Sequence, residues 1–209
     1  MTDTVKKRNW FQRLFAVRGM GQVITVFFGL IVLCLVFYLI NPNFLSQRNV
    51  ANLLRQIAPY LIIGIGQGYV LITGNIDLSI GSVIGMSTMI SATLMTRGMD
   101  PWVATLVTMV PCLLTGLLNG FLVSACKLPP FIGTLGTMTI ARGVAQLVNG
   151  NMNTDAIGRT AEGWRDFLYY GRTLGIYNTF WIALVIWLIF NFLLSRTRTG
   201  RHIYAIGSN

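Results

Sequence analysis

The sequence predicts an all-α, polytopic membrane protein built as a bundle of about six transmembrane helices. Hydrophobic residues make up 54% of the 209-residue chain and charged residues only 11%, whereas a soluble domain of this size carries about 25% charged residues. The mean hydropathy is +0.63. The apolar residues also lie in long runs, and a helical run of about 20 residues crosses the hydrocarbon core of a bilayer.

The apolar runs divide a transmembrane region, residues 20–195, into six candidate spans. These are residues 20–40, 53–73, 78–95, 102–124, 131–148 and 177–194. Turn-forming sequences separate them, including the pair Pro129-Pro130, which cannot continue a helix. The segment 131–148 is the weakest of the six because it contains Arg142 and Gln146.

The charges set the expected orientation. The net charge is +10, but the cations lie between and beyond the apolar runs instead of forming a basic face with interleaved aromatic residues, so nucleic acid is not an expected partner. A basic segment, residues 1–19, precedes the first span, and Arg196, Arg198 and Arg201 follow the last. Cytoplasmic loops carry the excess of Lys and Arg, so both ends are expected in the cytoplasm. The polar stretch 149–178 is then external, either as an interfacial helix over residues 161–170 or as an ordered loop.

Small residues recur at helical spacing in spans two, three and four. The pairs are Gly64 and Gly68, Gly81 and Gly85, and Gly116 and Gly120. Inside lipid, close backbone approach at small residues supplies the contact between helices. We therefore expect these glycines to pack helices together, with flexible gating as the alternative.

Polar residues interrupt the apolar runs at two places. Between spans two and three the chain reads Gly-Asn-Ile-Asp-Leu-Ser-Ile-Gly-Ser over residues 74–82. Asn75 or Asp77 could cap the third helix, and the loop could also lie on a translocation path, where unwound backbone needs protein or water around it. In span five, one helix face carries a polar stripe, formed by Thr139, Arg142, Gln146 and Asn149. Arg142 either snorkels to the outer interface or faces a polar pore.

The sequence disfavours catalysis. The single histidine, His202, lies in the basic tail after the last span, so no Ser-His pair or HExxH zinc motif can form within the membrane. A Gly-rich Lys-Ser/Thr phosphate loop is also absent from the sequence. We expect a transport subunit without a cofactor or a metal. A secondary transporter would need several intramembrane carboxylates, of which only Asp77 is present; a non-transport membrane protein is the other alternative.

Residues 71–82 (LITGNIDLSIGS) resemble the signature of the ribose/xylose/arabinose-type ABC sugar permeases, a branched-type, binding-protein-dependent family. Further similar segments follow in the family's order, at residues 41–44 before 52–54, 119–120 before 128–138, 140–143 and 199–209. The resemblance implies the N-terminal part of a type II ABC importer-like permease fold in the bacterial cytoplasmic membrane. It also implies three kinds of protein partner: cytoplasmic ATPase subunits, an extracytoplasmic sugar-binding protein and a second permease copy.

The resemblance assigns roles to two groups of residues. Asn75, Asp77, Ser79 and Gly81 would lie near the translocation pathway, which the polar stripe extends to Arg142 and Gln146. The surface that meets the ATPase would begin at Arg201, Tyr204, Gly207 and Asn209. Two departures stand out: Tyr177 replaces a frequent proline, and the chain ends at Asn209, where family members continue. Residues 196–209 are therefore expected to be an incomplete coupling region of a truncated chain.

Overall fold

The structure, a computed structural model, describes residues 20–158 and 161–207. Most of it is helical, which confirms the all-α prediction. The helices are α1 (Met20–Ile40), α2 (Gln47–Ile72), α3 (Ile80–Thr96), α4 (Pro101–Ser124), α5 (Pro130–Leu147), α6 (Glu162–Arg165), α7 (Asn178–Arg196) and α8 (Arg198–Gly207). A 3-10 turn (Pro42–Leu45), a π turn (Asp166–Tyr170) and an antiparallel hairpin of β1 (Arg172–Thr173) and β2 (Ile176–Tyr177) complete the described part.

Three of the described helices, α1, α4 and α7, are long and apolar enough to cross a membrane. Helix α3 is apolar but has 17 residues. Helix α2 contains Pro59 and Arg55, and α5 includes Arg142. The count of six spans therefore stays a prediction, as does the cytoplasmic placement of residues 1–19, which lie outside the described residues.

Helix bounds follow local chemistry more closely than apolar composition. Helix α4 begins at Pro101, where the Asp100 carboxylate accepts the N–H groups of Trp102 and Val103 at 3.0 and 3.1 Å, a standard N-terminal cap. Helix α2 begins at Gln47 instead of the expected Leu53 because Ser46 Oγ accepts the N–H of Asn49 at 3.4 Å, so the helix extends through polar residues.

The chain divides into two compact units, the first ending at Val50. In the first, α1 exposes nearly all of its side chains, as a lipid-facing helix does. The following turn is closed by two asparagines: Asn41 Oδ1 accepts the N–H of Asn43 at 3.0 Å, and Asn49 Nδ2 donates to the Phe44 carbonyl at 2.7 Å. The family-like sequence of residues 41–44 thus forms a tight reversal.

The second unit centres on α3, α4 and α5, which pack against one another. Their buried positions are mostly small residues, namely Ala92, Ala104, Gly133, Thr134, Thr137 and Ala141, so the backbones approach closely. At the end of this group, Ala161 and Trp164 pack on Met95 and Ala104. Helical backbone over residues 162–170 agrees with the interfacial-helix interpretation.

Candidate functional site

The loop between α2 and α3 is held by its own side chains. Gly74 has a φ of +76°, which glycine adopts without a Cβ clash, and the chain turns there. Asn75 Nδ2 donates back to Thr73 Oγ1 at 2.9 Å, so Asn75 does not cap α3. Asp77 Oδ1 accepts both the N–H and the hydroxyl of Ser79, at 2.7 and 2.6 Å. The carboxylate thus fixes the backbone immediately before α3 begins.

This loop is joined to two other helices by a polar network, which we define as Asp77, Ser79, Asn119 and Thr137. Asn119 Nδ2 of α4 donates to Ser79 Oγ at 3.0 Å and to Asp77 Oδ2 at 3.4 Å. Asn119 Oδ1 accepts from Thr137 Oγ1 of α5 at 2.6 Å. Ser79 and Thr137 are each 2% exposed and Asn119 is 8% exposed. The donors all point, directly or through a neighbour, toward the Asp77 carboxylate, and such chains of hydrogen bonds strengthen one another.

The polar network lies inside the bundle and not at its end. Asn119 is five residues before the end of α4, and Thr137 is seven residues after the start of α5. At 1.5 Å per residue, the network is about 7–10 Å inward from the α4–α5 connection. The loop backbone and the start of α3 therefore enter the bundle. Non-helical backbone at such depth is tolerated only beside protein or a water-filled cavity.

Arg142 and Gln146 are not part of this network, and both side chains are exposed. Arg142 instead borders a cavity of about 270 Å³ between α3 and α5, whose α3 wall includes Gly81, Ser82 and Gly85. Leu78 also lines it, so the cavity adjoins the signature loop. The structure thus brings Arg142 and Gly81 to one cavity, whose lining does not include Asp77. The pore-facing role of Arg142 and Gln146 stays a prediction.

A larger groove of about 1130 Å³ lies between α3 and α4. Its hydroxyl-bearing lining residues include Ser87, Thr88, Thr105 and Thr108. These hydroxyls donate to backbone carbonyls of their own helices, at 2.7–2.9 Å, so what they offer the groove is acceptor lone pairs. Trp164 lines the groove, and its Nε1 is buried without a hydrogen-bond partner in the described part of the chain.

Comparisons with known proteins agree with this architecture. The family described as branched-chain amino acid transport system/permease component matches residues 49–209. The chain belongs to this permease family. It is 35% identical to the ribose import permease protein of Bacillus subtilis (strain 168) over 91% of this chain and 59% of that protein. It is 29% identical to the ribose import permease protein of Escherichia coli (strain K12), over 100% of this chain and 63% of that protein. It is 33% identical to the D-allose transport system permease protein of the same strain, over 88% of this chain and 56% of that protein.

The chain therefore spans about three fifths of the length of these curated relatives. No solved structure matches it significantly. Membership in the family confirms the resemblance seen in the motifs and the placement of the permease as a multi-pass protein of the bacterial cytoplasmic membrane.

Two members of the permease's polar network escaped the sequence prediction as site residues: Asn119 and Thr137. Asn119 was visible as the single amide side chain in the apolar run of α4. An amide there must find a hydrogen-bond partner, and that signal could have marked it. Thr137 carried no comparable signal, because hydroxyl residues recur throughout α5 and most bond their own backbone.

The six glycines expected to pack helices lie in open surroundings. A Cβ built on Gly64, Gly68, Gly81, Gly85, Gly116 or Gly120 would meet no other heavy atom within 4 Å. Within the described residues no neighbouring helix lies against these Cβ positions, and the expected role of the six glycines in packing the bundle stays a prediction.

Gly116→Ala is accordingly expected to leave the free energy of unfolding unchanged or to raise it by up to about 1 kcal/mol, since alanine favours the helix. Thermal unfolding of the detergent-solubilised chain would measure this. Gly171→Ala provides the contrast, because its Cβ would lie 2.6 Å from Asn178 Nδ2 and 2.7 Å from the Asp166 carbonyl oxygen, and the variant should be clearly destabilised. A loss above about 2 kcal/mol for Gly116→Ala would instead support packing within the chain.

The residues assigned to ATPase coupling lie on α8, except Asn209, which is outside the described residues. Arg201 and Tyr204 are exposed. Gly207 rests against the end of α2, where a Cβ on it would overlap the Ile72 carbonyl. Helix α8 thus contacts the residue that leads directly into the signature loop. The role of Arg201, Tyr204 and Gly207 in contacting an ATPase stays a prediction.

Proposed function

We propose that this chain is the permease subunit of an ATP-driven sugar importer and forms part of the translocation pathway. The observation that carries the proposal is the inward position of the signature loop, fixed by the polar network in a chain whose relatives are named as sugar permeases. A polar loop inside an apolar bundle provides the hydrogen-bonding surface that a hydroxyl-rich solute needs to cross. Because α2 ends and α3 begins at this loop, the loop can also move without breaking a helix.

The contact between Gly207 and Ile72 supports the coupling part of the proposal. We infer that cytoplasmic ATPase subunits act on α8 and that α8 transmits movement to the end of α2. From there, only residues 73–76 separate the movement from Asp77. An extracytoplasmic sugar-binding protein and a second permease copy complete the proposed assembly, in which ATP hydrolysis takes place in the partner subunits.

Sugar uptake in the native host tests the proposal. Deleting the gene is expected to abolish uptake of one of the radiolabelled sugars ribose, allose, fructose or galactose, which occur in the names of the relatives. The tagged chain should also co-purify with an ATPase. Unchanged uptake of all these sugars, together with purification free of any ATPase, would rule the proposal out.

Asp77→Asn is expected to lower that uptake at least about tenfold at unchanged chain abundance. The substitution removes the charge that orients Ser79 and Asn119, and charge-assisted hydrogen bonds are roughly twice as strong as neutral ones. Asp100→Asn is the matched control, since Asp100 caps α4 at the other end of the helix and Asn caps nearly as well. Equal effects of the two substitutions would show that Asp77 has no special part in transport.

A further inference from the structure

We propose that Arg55 and Arg172 form a binding site for the phosphate of an anionic phospholipid at the non-cytoplasmic membrane interface. Both arginines lie over the ring of Tyr177: the guanidinium carbon Cζ of Arg55 is 4.4 Å and that of Arg172 4.3 Å from the ring centroid. Arg55 Cζ is also 4.4 Å from the ring centroid of Tyr169. Both guanidinium groups therefore contact the ring of one buried aromatic side chain.

Hydrogen bonds fix the Arg172 half of this arrangement. Arg172 donates from Nη2 to the Tyr177 hydroxyl, and that hydroxyl donates to Asn52 Oδ1 of α2 at 3.0 Å. The hairpin that carries Arg172 is in turn held by Trp181 Nε1, which donates to the Thr173 carbonyl at 3.0 Å. Arg172 is thus held by hydrogen bonds and Arg55 by its contacts with the rings of Tyr169 and Tyr177, so both positions are set by the fold before any ligand arrives, which lowers the entropy cost of binding.

Within the part of the chain that the structure describes, the positive charge at this point lacks a counterion. Among the described residues, the only ion pair joins Arg165 and Asp166, at 4.0 Å, and no carboxylate lies within ion-pair distance of Arg55 or Arg172. Arg55 Nε is buried without a hydrogen-bond partner in the same part of the chain. Two like charges near one ring repel each other, and a bound anion offsets that repulsion. The planar donor fork of arginine matches phosphate oxygens particularly well.

The pair lies at a membrane interface. Helix α7 begins immediately after Tyr177 and ends at Arg196, and its 19 residues rise about 28 Å, close to the thickness of the hydrocarbon core. The two arginines and the cationic residues that follow α7 are therefore at opposite interfaces. Because the cationic tail is expected in the cytoplasm, the arginine pair belongs to the non-cytoplasmic leaflet.

The surroundings favour a lipid over a soluble partner. Exposed aromatic side chains, Trp102, Phe167 and Tyr170, lie on the same outer segment and the adjoining start of α4, as in the aromatic belts of membrane proteins. Leu174, at the tip of the hairpin, is 87% exposed. The free energy of an apolar tip of this kind is lower among acyl chains than in water. A headgroup phosphate bound by the two arginines, with its acyl chains beside Leu174, satisfies both features.

Titration of the purified full chain in dodecyl maltoside tests the site, with lipid binding followed by native mass spectrometry and by thermal unfolding. Phosphatidylglycerol is expected to bind and phosphatidylcholine to bind at least about fivefold more weakly. Arg172→Gln should raise the phosphatidylglycerol concentration at half-saturation at least about fivefold, the loss of one charge-assisted contact. Arg165→Gln, on the same segment but already paired with Asp166, is the matched control and should shift it less than about twofold.

A second variant covers the case in which Arg172→Gln does not fold. Arg55→Lys keeps the charge but loses the planar fork, so it should weaken phosphatidylglycerol binding without changing the preference over phosphatidylcholine. Equal binding of the two lipids, or no effect of either arginine variant, would overturn the site. Protection by inorganic phosphate at the same concentration would reassign it to a free anion. Displacement of the lipid by a hexaglutamate peptide would reassign it to an acidic protein.

Discussion

Asn119→Ala is expected to lower the free energy of unfolding of the chain by about 2–3 kcal/mol. The substitution removes two donated hydrogen bonds, to Ser79 and Asp77, and one accepted from Thr137. Single hydrogen bonds between membrane helices average about 0.6 kcal/mol, and the larger expected value reflects the polar groups that would stay buried without Asn119. It is the one residue of the polar network that bonds all the others.

Unfolding of the chain by sodium dodecyl sulfate in mixed micelles, followed by circular dichroism, would measure this loss. Asn191→Ala in α7 is the matched control, because that side chain is exposed and should change the stability by less than about 0.5 kcal/mol. Asn119→Ser would retain part of the bonding and is expected to fall between the two. If Asn119→Ala and Asn191→Ala were equally mild, the network would not hold α3, α4 and α5 together.

Several helix bounds were predictable because local chemistry sets them sharply. Proline at the first position starts α4 at Pro101 and α5 at Pro130, within a residue of the predicted spans. Helix α2 begins six residues before the predicted second span, at Gln47 against Leu53, because hydropathy does not register a helix that continues through polar residues outside the apolar run.

Of the contacts in the candidate site, only those between residues close together in the sequence were predictable. Asp77 and Ser79 lie two residues apart, and their contact follows from the loop sequence itself. Asn119 is 40 residues from Ser79, and a helical period shows which face a residue shares but not which helix that face meets. The position of the start of α3 inside the bundle was likewise not predictable. Apolar runs show where helices lie along the chain and not how far each one enters the bundle. Spacing alone also led to the expectation of packing at six glycines that the structure leaves open.

Gly200→Ala is expected to destabilise the corner between α7 and α8 by about 1–3 kcal/mol. Gly200 is buried, and a Cβ there would overlap the Leu194 carbonyl and lie 2.7 Å from the Leu193 carbonyl oxygen. Both obstacles are backbone atoms of α7, so no side-chain rotation can relieve the clash. The corner must open instead. Opening it tilts α8 and draws Gly207 away from Ile72 at the end of α2.

Electron paramagnetic resonance can follow this movement, with spin labels at Ile206 of α8 and Leu61 of α2, both exposed, after Cys34, Cys112 and Cys126 are replaced by alanine. Gly200→Ala should lengthen and broaden the distance distribution, whereas Gly64→Ala, on the open side of α2, should not. Since α2 leads into the signature loop, sugar uptake should fall more steeply than stability. An unchanged distance distribution with lost uptake would separate the corner from the loop and place the coupling elsewhere.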